Sequence, residues 1–212
     1  GSNMYAMEKT LNWKGVCFEP NKDLFKLVLE RRSCFKINAG LCDATGTFDF
    51  TQFKPPYDQE SGILAFLSAT KRKDINNKIA SGVYHIANTY EIECVSVKDS
   101  LVRAFGRVIR IDVFSLDVES SEINVLRSID FHSVIIDILF VECSHEVETL
   151  NFMAKTNLYE HVSKVGDDLV FFRKTSKYIQ TWKNGCKCFQ EGNECFYKFV
   201  APDMHWECSN YE

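Results

Sequence analysis

Three carboxylates follow one strand-like segment in the middle of the chain, and their spacing is suited to acid–base chemistry. Residues 111–118 are rich in β-branched and aromatic side chains, which predicts a buried strand that ends near Asp117. Glu119 and Glu122 come next. Ligands of open α/β sheets bind outside the carboxyl ends of the strands, so acids there can move protons or bind a ligand. The alternative is a solvated helix start, because acids are favourable in any first turn.

A second acid ends an earlier strand. Residues 15–18 form a short apolar strand that Pro20 stops, so Glu19 lies at its tip. In nucleotide-binding α/β folds, an acid in this position accepts hydrogen bonds from the ribose hydroxyls. Acids at strand tips are also common without any ligand, so Glu19 alone does not establish a nucleotide site.

Glu142 and His145 extend the candidate active edge. Residues 134–143 predict another buried strand, Glu142 lies at its end, and His145 follows closely. An imidazole at this edge is a possible general base. His85 and His132 are alternative bases, although His132 is expected on the far side of the sheet. Several acids at one edge can also bind a divalent metal, and this alternative stays open.

The composition is that of a globular protein with one main domain. The chain has 212 residues, of which 45% are hydrophobic, and a formal net charge of −4. This acidic balance argues against nucleic acid as the main partner. The sequence has no apolar run long enough to predict a membrane span. Gly1-Ser2 resembles a cloning remnant.

The nine cysteines have no regular spacing. Their odd number and scatter are not typical of a secreted disulfide framework, so we expect a reducing, cytoplasmic location. Five are expected to be small core residues: Cys17, Cys34, Cys42, Cys94 and Cys143. Residues of the tail offer possible zinc ligands: Cys186, Cys188, Cys195, His205 and Cys208. They lack paired Cys-x-x-Cys knuckles, so thiols packed in the tail are the preferred interpretation.

Strands alternate with helices along residues 1–173. This order predicts a doubly wound, mostly parallel α/β sheet that ends in an antiparallel hairpin around Gly166. Residues 51–90 interrupt the pattern and are expected to form an irregular connection that carries specificity. Residues 174–212 are rich in cysteine and aromatic side chains and are expected to be an extension packed on the domain.

Two helix starts are expected beside the candidate site. Asn21 predicts the cap of an amphipathic helix over residues 22–31. Its inward face is expected to contain Leu24, Phe25, Leu27 and Val28. Ser120 or Ser121 is expected to cap a helix over residues 122–129.

Five segments together resemble the FkbM-type S-adenosylmethionine-dependent methyltransferases. They are residues 12–21, 38–46, 111–122, 141–142 and 168–172. The acids of residues 117–122, in the order Asp-Val-Glu-x-x-Glu, make the set fairly specific. The resemblance implies a class I methyltransferase fold, which is Rossmann-like, and S-adenosylmethionine as cofactor with S-adenosylhomocysteine as product. It also implies transfer to an oxygen, often a hydroxyl of a sugar or a polyketide-like small molecule.

The resemblance also assigns roles to residues. Glu19 is expected to bind the ribose hydroxyls of the cofactor. The rest of the cofactor site is expected to comprise Asn3, Asn38, Ala39, Leu41, Asp43 and Asp117. Asp117 is expected to face the methyl group and the acceptor, and is the preferred base beside Glu119 and His145. Glu122 and Glu142 are expected to contact the acceptor. Aromatic residues that can stack on a sugar are Tyr57, Trp182 and Trp206, although packing is the more common role for each.

Two features depart from the family pattern. Ser120 stands where the family usually has glycine. The family's glycine-rich first strand would stand just before Ser2, and we expect the sequence to start late relative to it. Two alternatives remain: a non-catalytic binding or scaffold module whose tail docks a partner, and one domain of a larger glycan-building enzyme.

Overall fold

The computed structural model describes residues 4–142, 145–191, 194–201 and 204–208, with side chains up to residue 183. The chain divides into two compact units, residues 1–108 with 118–129 and residues 109–117 with 130–212. In chain order the helices and strands are α1 (Met4–Thr10), β1 (Val16–Phe18), α2 (Lys22–Arg31), β2 (Phe35–Ile37), β3 (Gly40–Leu41), β4 (Gly46–Phe53), α3 (Ala69–Ala80), β5 (Ile86–Val95), α4 (Val97–Phe105), β6 (Ile111–Leu116), α5 (Glu122–Ser128), β7 (Ile136–Glu142), α6 (Glu146–Thr156), β8 (Tyr159–Val165), β9 (Asp168–Arg173), α7 (Lys177–Gly185), β10 (Cys186–Glu191), β11 (Glu194–Ala201) and β12 (Met204–Cys208).

The first unit contains two small sheets. β1 and β2 pair in parallel, while β5 lies between β3, which is parallel to it, and β4, which is antiparallel. The buried side chains of this unit include two packed groups. One group is Phe53, Leu67, Ile75 and Tyr84; the other is Ile37, Ala39 and Val95, with Val16 and Phe18 packed against it.

The second unit contains a four-stranded sheet in the order β6-β7-β9-β8. β6 and β7 are parallel, and β9 is antiparallel to both of its neighbours. One core group on this sheet is formed by Phe140, Val162, Val170, Phe172, Ile179 and Trp182. β10, β11 and β12 form a separate antiparallel sheet. Among the described residues, every helix is too short or too polar to span a lipid bilayer.

The mixed α/β class and the β8–β9 hairpin agree with the predictions from sequence. The single doubly wound sheet is not confirmed, because the described strands are distributed over small sheets of mixed direction. β6 is also less buried than predicted. It lies at the end of its sheet, pairs with β7, and has partly exposed side chains from Ile111 to Ser115.

Two helices differ from the prediction. The expected inward face of α2 is only partly covered, since Leu24 is 47% exposed and Leu27 is 41% exposed. Residues 51–90 were expected to be irregular, but they contain the whole of α3, which Ser68 caps by accepting a hydrogen bond from the Lys71 amide. Ile75 is the one buried residue of α3, so the helix has little apolar periodicity to predict it.

The prediction of unbonded core thiols is wrong for four cysteines. Cys17 is bonded to Cys34, and Cys42 is bonded to Cys94. The two cysteines of the first pair lie 17 residues apart in the sequence, and those of the second pair lie 52 apart, so sequence spacing did not indicate the pairing. Cys143 and the cysteine and histidine side chains of the predicted tail zinc set lie outside the described residues, and so do Asn3 and the Trp206 side chain.

Candidate functional site

Glu19 and Asn38 lie side by side at the carboxyl ends of β1 and β2. The parallel register pairs Phe18 with Ile37, so the next residue of each strand is at the same edge. The Glu19 amide donates to the Ile37 carbonyl at 3.2 Å, and Asn38 Nδ2 donates to the Glu19 carbonyl at 2.7 Å. These two predicted cofactor residues are therefore brought together by strand pairing and by a direct hydrogen bond.

The Glu19 carboxylate is oriented by the turn that leads into α2. Its Oε1 accepts a hydrogen bond from the Asn21 amide at 2.8 Å. Asn21 Oδ1 in turn accepts from the Asp23 and Leu24 amides at 2.9 and 3.3 Å, which confirms the predicted helix cap. Because the turn and the cap share Asn21, the carboxylate is held at the start of α2.

Tyr90 of β5 lies beside this edge and was missed from sequence. Its hydroxyl accepts a hydrogen bond from the Lys22 amide at 3.3 Å, and Lys22 Nζ lies 4.5 Å from the centre of its ring. Burial raises the pKa of the Tyr90 hydroxyl, the hydrogen bond from Lys22 opposes this, and the charges of Asp23 and Glu19 add to the rise. Tyr90 falls within residues 51–90, which were expected to form an irregular connection.

The other predicted cofactor residues of this unit occupy two different environments. Ala39 is fully buried and Leu41 is 8% exposed, so both contribute to the interior. Asp43 is exposed in the turn before β4. The Thr45 hydroxyl fixes this turn, since it donates to the Asp99 carboxylate at the start of α4 and accepts from the Ser96 amide.

The loop from Val118 to Ser121 has an unusual backbone. Glu119 and Ser120 have φ values of +52° and +74°, which lie in the left-handed region that favours glycine. Glu122 Oε1 accepts from the amides of Val118 and Ser120 at 3.1 and 3.0 Å. Ser120 thus keeps the backbone shape that a glycine would adopt, and the Glu122 carboxylate holds it.

The Glu122 carboxylate holds the loop that precedes α5, and the Ser121 side chain does not cap the helix. Ser121 occupies the predicted cap position, but its side chain makes no capping hydrogen bond, and the Asn124 amide donates to its carbonyl at 3.1 Å instead. Glu122 is only 3% exposed, whereas Glu119 is exposed. Of these two predicted site residues, Glu119 is the one that solvent reaches.

Three acidic residues lie level with one another on neighbouring strands at one edge of the four-stranded sheet. β6 and β7 pair Leu116 with Val141, so Asp117 is level with Glu142 on the neighbouring strand. β7 and β9 pair Glu142 with Asp168. Asp117 and Glu142 were predicted to share an edge, but Asp168 was missed, because its position depends on the register of the hairpin.

His145 and Tyr57 were also predicted to belong to the site. His145 is half-buried at the start of α6, and its carbonyl accepts from the Thr149 amide at 3.0 Å. The Tyr57 ring is 4.6 Å from the Tyr84 ring and packs against the core group that contains Phe53. The Trp182 ring is 5% exposed and lies 5.3 Å from the Phe172 ring. The contacts of Tyr57 and Trp182 are those of packing residues.

A family model described as the methyltransferase FkbM domain matches residues 1–166. No curated protein and no solved structure matches the chain. The matched residues include the Glu19–Asn38 edge and two of the three edge carboxylates, Asp117 and Glu142. The match covers well over half of the 212 residues and confirms the resemblance seen in the sequence. The chain therefore belongs to the FkbM methyltransferase family.

Proposed function

We propose that the protein is an S-adenosylmethionine-dependent O-methyltransferase that acts on a hydroxyl of a sugar, a glycan or a related small molecule. The observation that supports this most strongly is the oriented Glu19 carboxylate beside Asn38, at the carboxyl edge of β1 and β2. An acid in this position suits the ribose diol of a nucleoside cofactor. Methyltransferase activity is what the family implies.

The residues at this edge fit the adenosine part of the cofactor. An ionised carboxylate has about four acceptor sites, so Glu19 can keep its bond to the Asn21 amide and also accept from ribose hydroxyls. The backbone of residues 38–41 and the turn at Asp43 would border the adenine. Tyr90 joins this set because its ring and hydroxyl lie next to the start of α2.

The acids at the edge of the four-stranded sheet fit a hydroxyl-bearing acceptor. The bound cofactor supplies an electrophilic methyl group on a sulfonium. Asp117 is exposed and would take the proton of the attacking hydroxyl on a carboxylate oxygen. Glu142 and Asp168 would accept hydrogen bonds from neighbouring hydroxyls and so orient the acceptor. His145 is the second candidate base.

Two isosteric variants separate cofactor binding from chemistry. Glu19→Gln keeps an oxygen for the Asn21 amide but loses the charge, so the dissociation constant for S-adenosylhomocysteine should rise about 10- to 100-fold in calorimetric titration. Asp117→Asn should lower methyl transfer to sugar acceptors about 100-fold while weakening S-adenosylhomocysteine binding much less than Glu19→Gln does. Glu30→Gln, an exposed acid on α2, is the matched control and should change neither quantity.

Unchanged affinity of the Glu19→Gln protein would contradict the ribose assignment. Full transfer activity in the Asp117→Asn protein would remove Asp117 as the base and direct attention to His145. A folded protein that binds neither cofactor nor product would favour the alternative of a binding module.

A further inference from the structure

The first disulfide joins the two strands that carry Glu19 and Asn38. Cys17 is the middle residue of β1, and Cys34 immediately precedes β2. Their Cα atoms are 6.0 Å apart, a separation typical of bonded cysteines. Glu19 is two residues beyond Cys17, so the disulfide lies on the same strand segment as the oriented carboxylate.

The second disulfide joins β5 to the residue after β3. Cys42 is 2% exposed, Cys94 is fully buried, and their Cα atoms are 5.6 Å apart. The pair lies against Gly40, where an added Cβ would be 3.3 Å from Cys94 Sγ and 3.4 Å from Cys42 Sγ. Glycine at position 40 therefore leaves the space that the bond occupies. Leu41, a predicted cofactor residue, immediately precedes Cys42.

The two disulfides thus covalently connect the strands that carry the predicted cofactor residues. We propose that both disulfides are formed in the working protein, that they hold the cofactor-binding strands in position, and that the protein acts in an oxidising compartment. The second of these statements rests on the proposed function. The proposed oxidising compartment differs from the cytoplasmic location expected from cysteine spacing. The reason is that cytosolic thiol pools keep structural cysteines reduced.

Each bond forms by an ordinary thiol–disulfide exchange. Two thiols lose two protons and two electrons, one S–S bond forms, and a disulfide oxidant such as glutathione disulfide is reduced to two thiols. Cys17 is half-buried, so a small oxidant or reductant can approach this pair at that sulfur, whereas Cys42 and Cys94 are enclosed. We therefore expect the pair of Cys17 and Cys34 to be the one that added reductant opens first in the folded protein.

A metal site is the competing interpretation of the first pair. The ligand atoms of Glu8, Cys17 and Cys34 all lie within 4.8 Å of one another, and two thiolates with a carboxylate suit zinc. However, the Glu8 carboxylate already accepts hydrogen bonds from Arg32 Nε at 2.8 Å and from Ser33 Oγ at 2.6 Å. The guanidinium at this short distance opposes a divalent cation, so we favour the disulfide.

The experiment compares the full chain exported to an oxidising compartment with the same chain made in a reducing cytosol. Each is unfolded without reductant, alkylated, digested and mapped by mass spectrometry, and its zinc content is measured. We expect linked Cys17–Cys34 and Cys42–Cys94 peptides from the exported chain. The reduced chain should melt at a lower temperature and bind S-adenosylhomocysteine about tenfold more weakly until glutathione disulfide restores the bonds.

A variant isolates the first bond. Cys17→Ser/Cys34→Ser in the exported chain should lower the melting temperature by about 6–12 °C, and its melting temperature should respond less to added reductant than that of the unchanged chain. A reduced chain with four alkylated thiols that melts and binds like the exported one would overturn the proposal, and so would stoichiometric zinc at these cysteines. If neither form binds S-adenosylhomocysteine, the proposed function fails, while the peptide map and the melting temperatures still decide the disulfides.

Discussion

Replacing Glu8 with glutamine tests how α1 is attached to the start of β2. The Glu8 side chain is 5% exposed, and its Oε2 accepts from Arg32 Nε at 2.8 Å. Its Oε1 accepts from the Ser33 hydroxyl and from the amides of Ser33 and Cys34. Burial raises the pKa of the Glu8 carboxyl, but the hydrogen bonds from Ser33 and Arg32 and the charge of Arg32 outweigh it and lower the pKa to about 2.

The lowered pKa of Glu8 sets both the size and the pH range of the destabilisation expected for Glu8→Gln. A carboxyl whose pKa falls from 4.5 to about 2 stabilises the folded state by at most about 3.4 kcal/mol. Solvent near the cluster screens part of this, so we expect Glu8→Gln to lower the free energy of unfolding by about 2 kcal/mol at neutral pH. Because the folded pKa is depressed, the contribution is complete above about pH 5 and is lost as the pH falls through 4.5 toward 2.

Urea unfolding of both proteins between pH 7 and pH 2.5 measures this difference. Glu30→Gln, an exposed acid on α2, is the control and should stay within about 0.5 kcal/mol of the parent protein at every pH. A difference for Glu8→Gln that stays constant down to pH 2.5 would show that packing, and not the ionised carboxylate, is responsible. A difference below about 0.5 kcal/mol at neutral pH would refute the account of this cluster.

Two further substitutions test the loop of the candidate site and an ion pair in which Asp137 is buried and Arg110 is about half exposed. Ser120→Gly should raise the free energy of unfolding by up to about 1 kcal/mol, because φ is +74° at this position. Ser128→Gly at the end of α5 is the control and should lower the free energy of unfolding by a similar amount. Equal effects of the two substitutions in thermal unfolding would contradict the left-handed backbone at Ser120. Arg110→Ala should cost about 2 kcal/mol, because it removes the two hydrogen bonds at 2.7 and 2.6 Å to the fully buried Asp137. Lys26→Ala breaks an exposed pair and should cost less than about 0.5 kcal/mol, so equal losses in urea unfolding would show that the burial of Asp137 is unimportant.

Features set by neighbouring residues could be predicted from the sequence. The Asn21 cap depends on an asparagine and the next three residues, and the turn of the β8–β9 hairpin is marked by Gly166 and Asp167. The position of Glu19 also followed from local signals, because Pro20 ends the strand before it. The predicted pairing of Asp117 and Glu142 at one edge required only that two parallel strands be neighbours.

Features set by distant pairing could not be predicted. Asp168 reaches the acidic edge only through the antiparallel register of β9 against β7. Tyr90 approaches Lys22 across 68 residues. The disulfide partners are separated along the chain and are brought together by strand order. The cap of α5 differs from the expectation for a local reason, since the Asn124 amide bonds to the Ser121 carbonyl and not to its hydroxyl.

The most direct test of the account is a calorimetric titration of the folded protein with S-adenosylhomocysteine. We predict one site with a dissociation constant in the micromolar range, and weaker binding by the Glu19→Gln protein. Circular dichroism on the same samples establishes that both proteins are folded. A folded protein that shows no binding heat, or a Glu19→Gln protein that binds as tightly as the parent, would contradict the account.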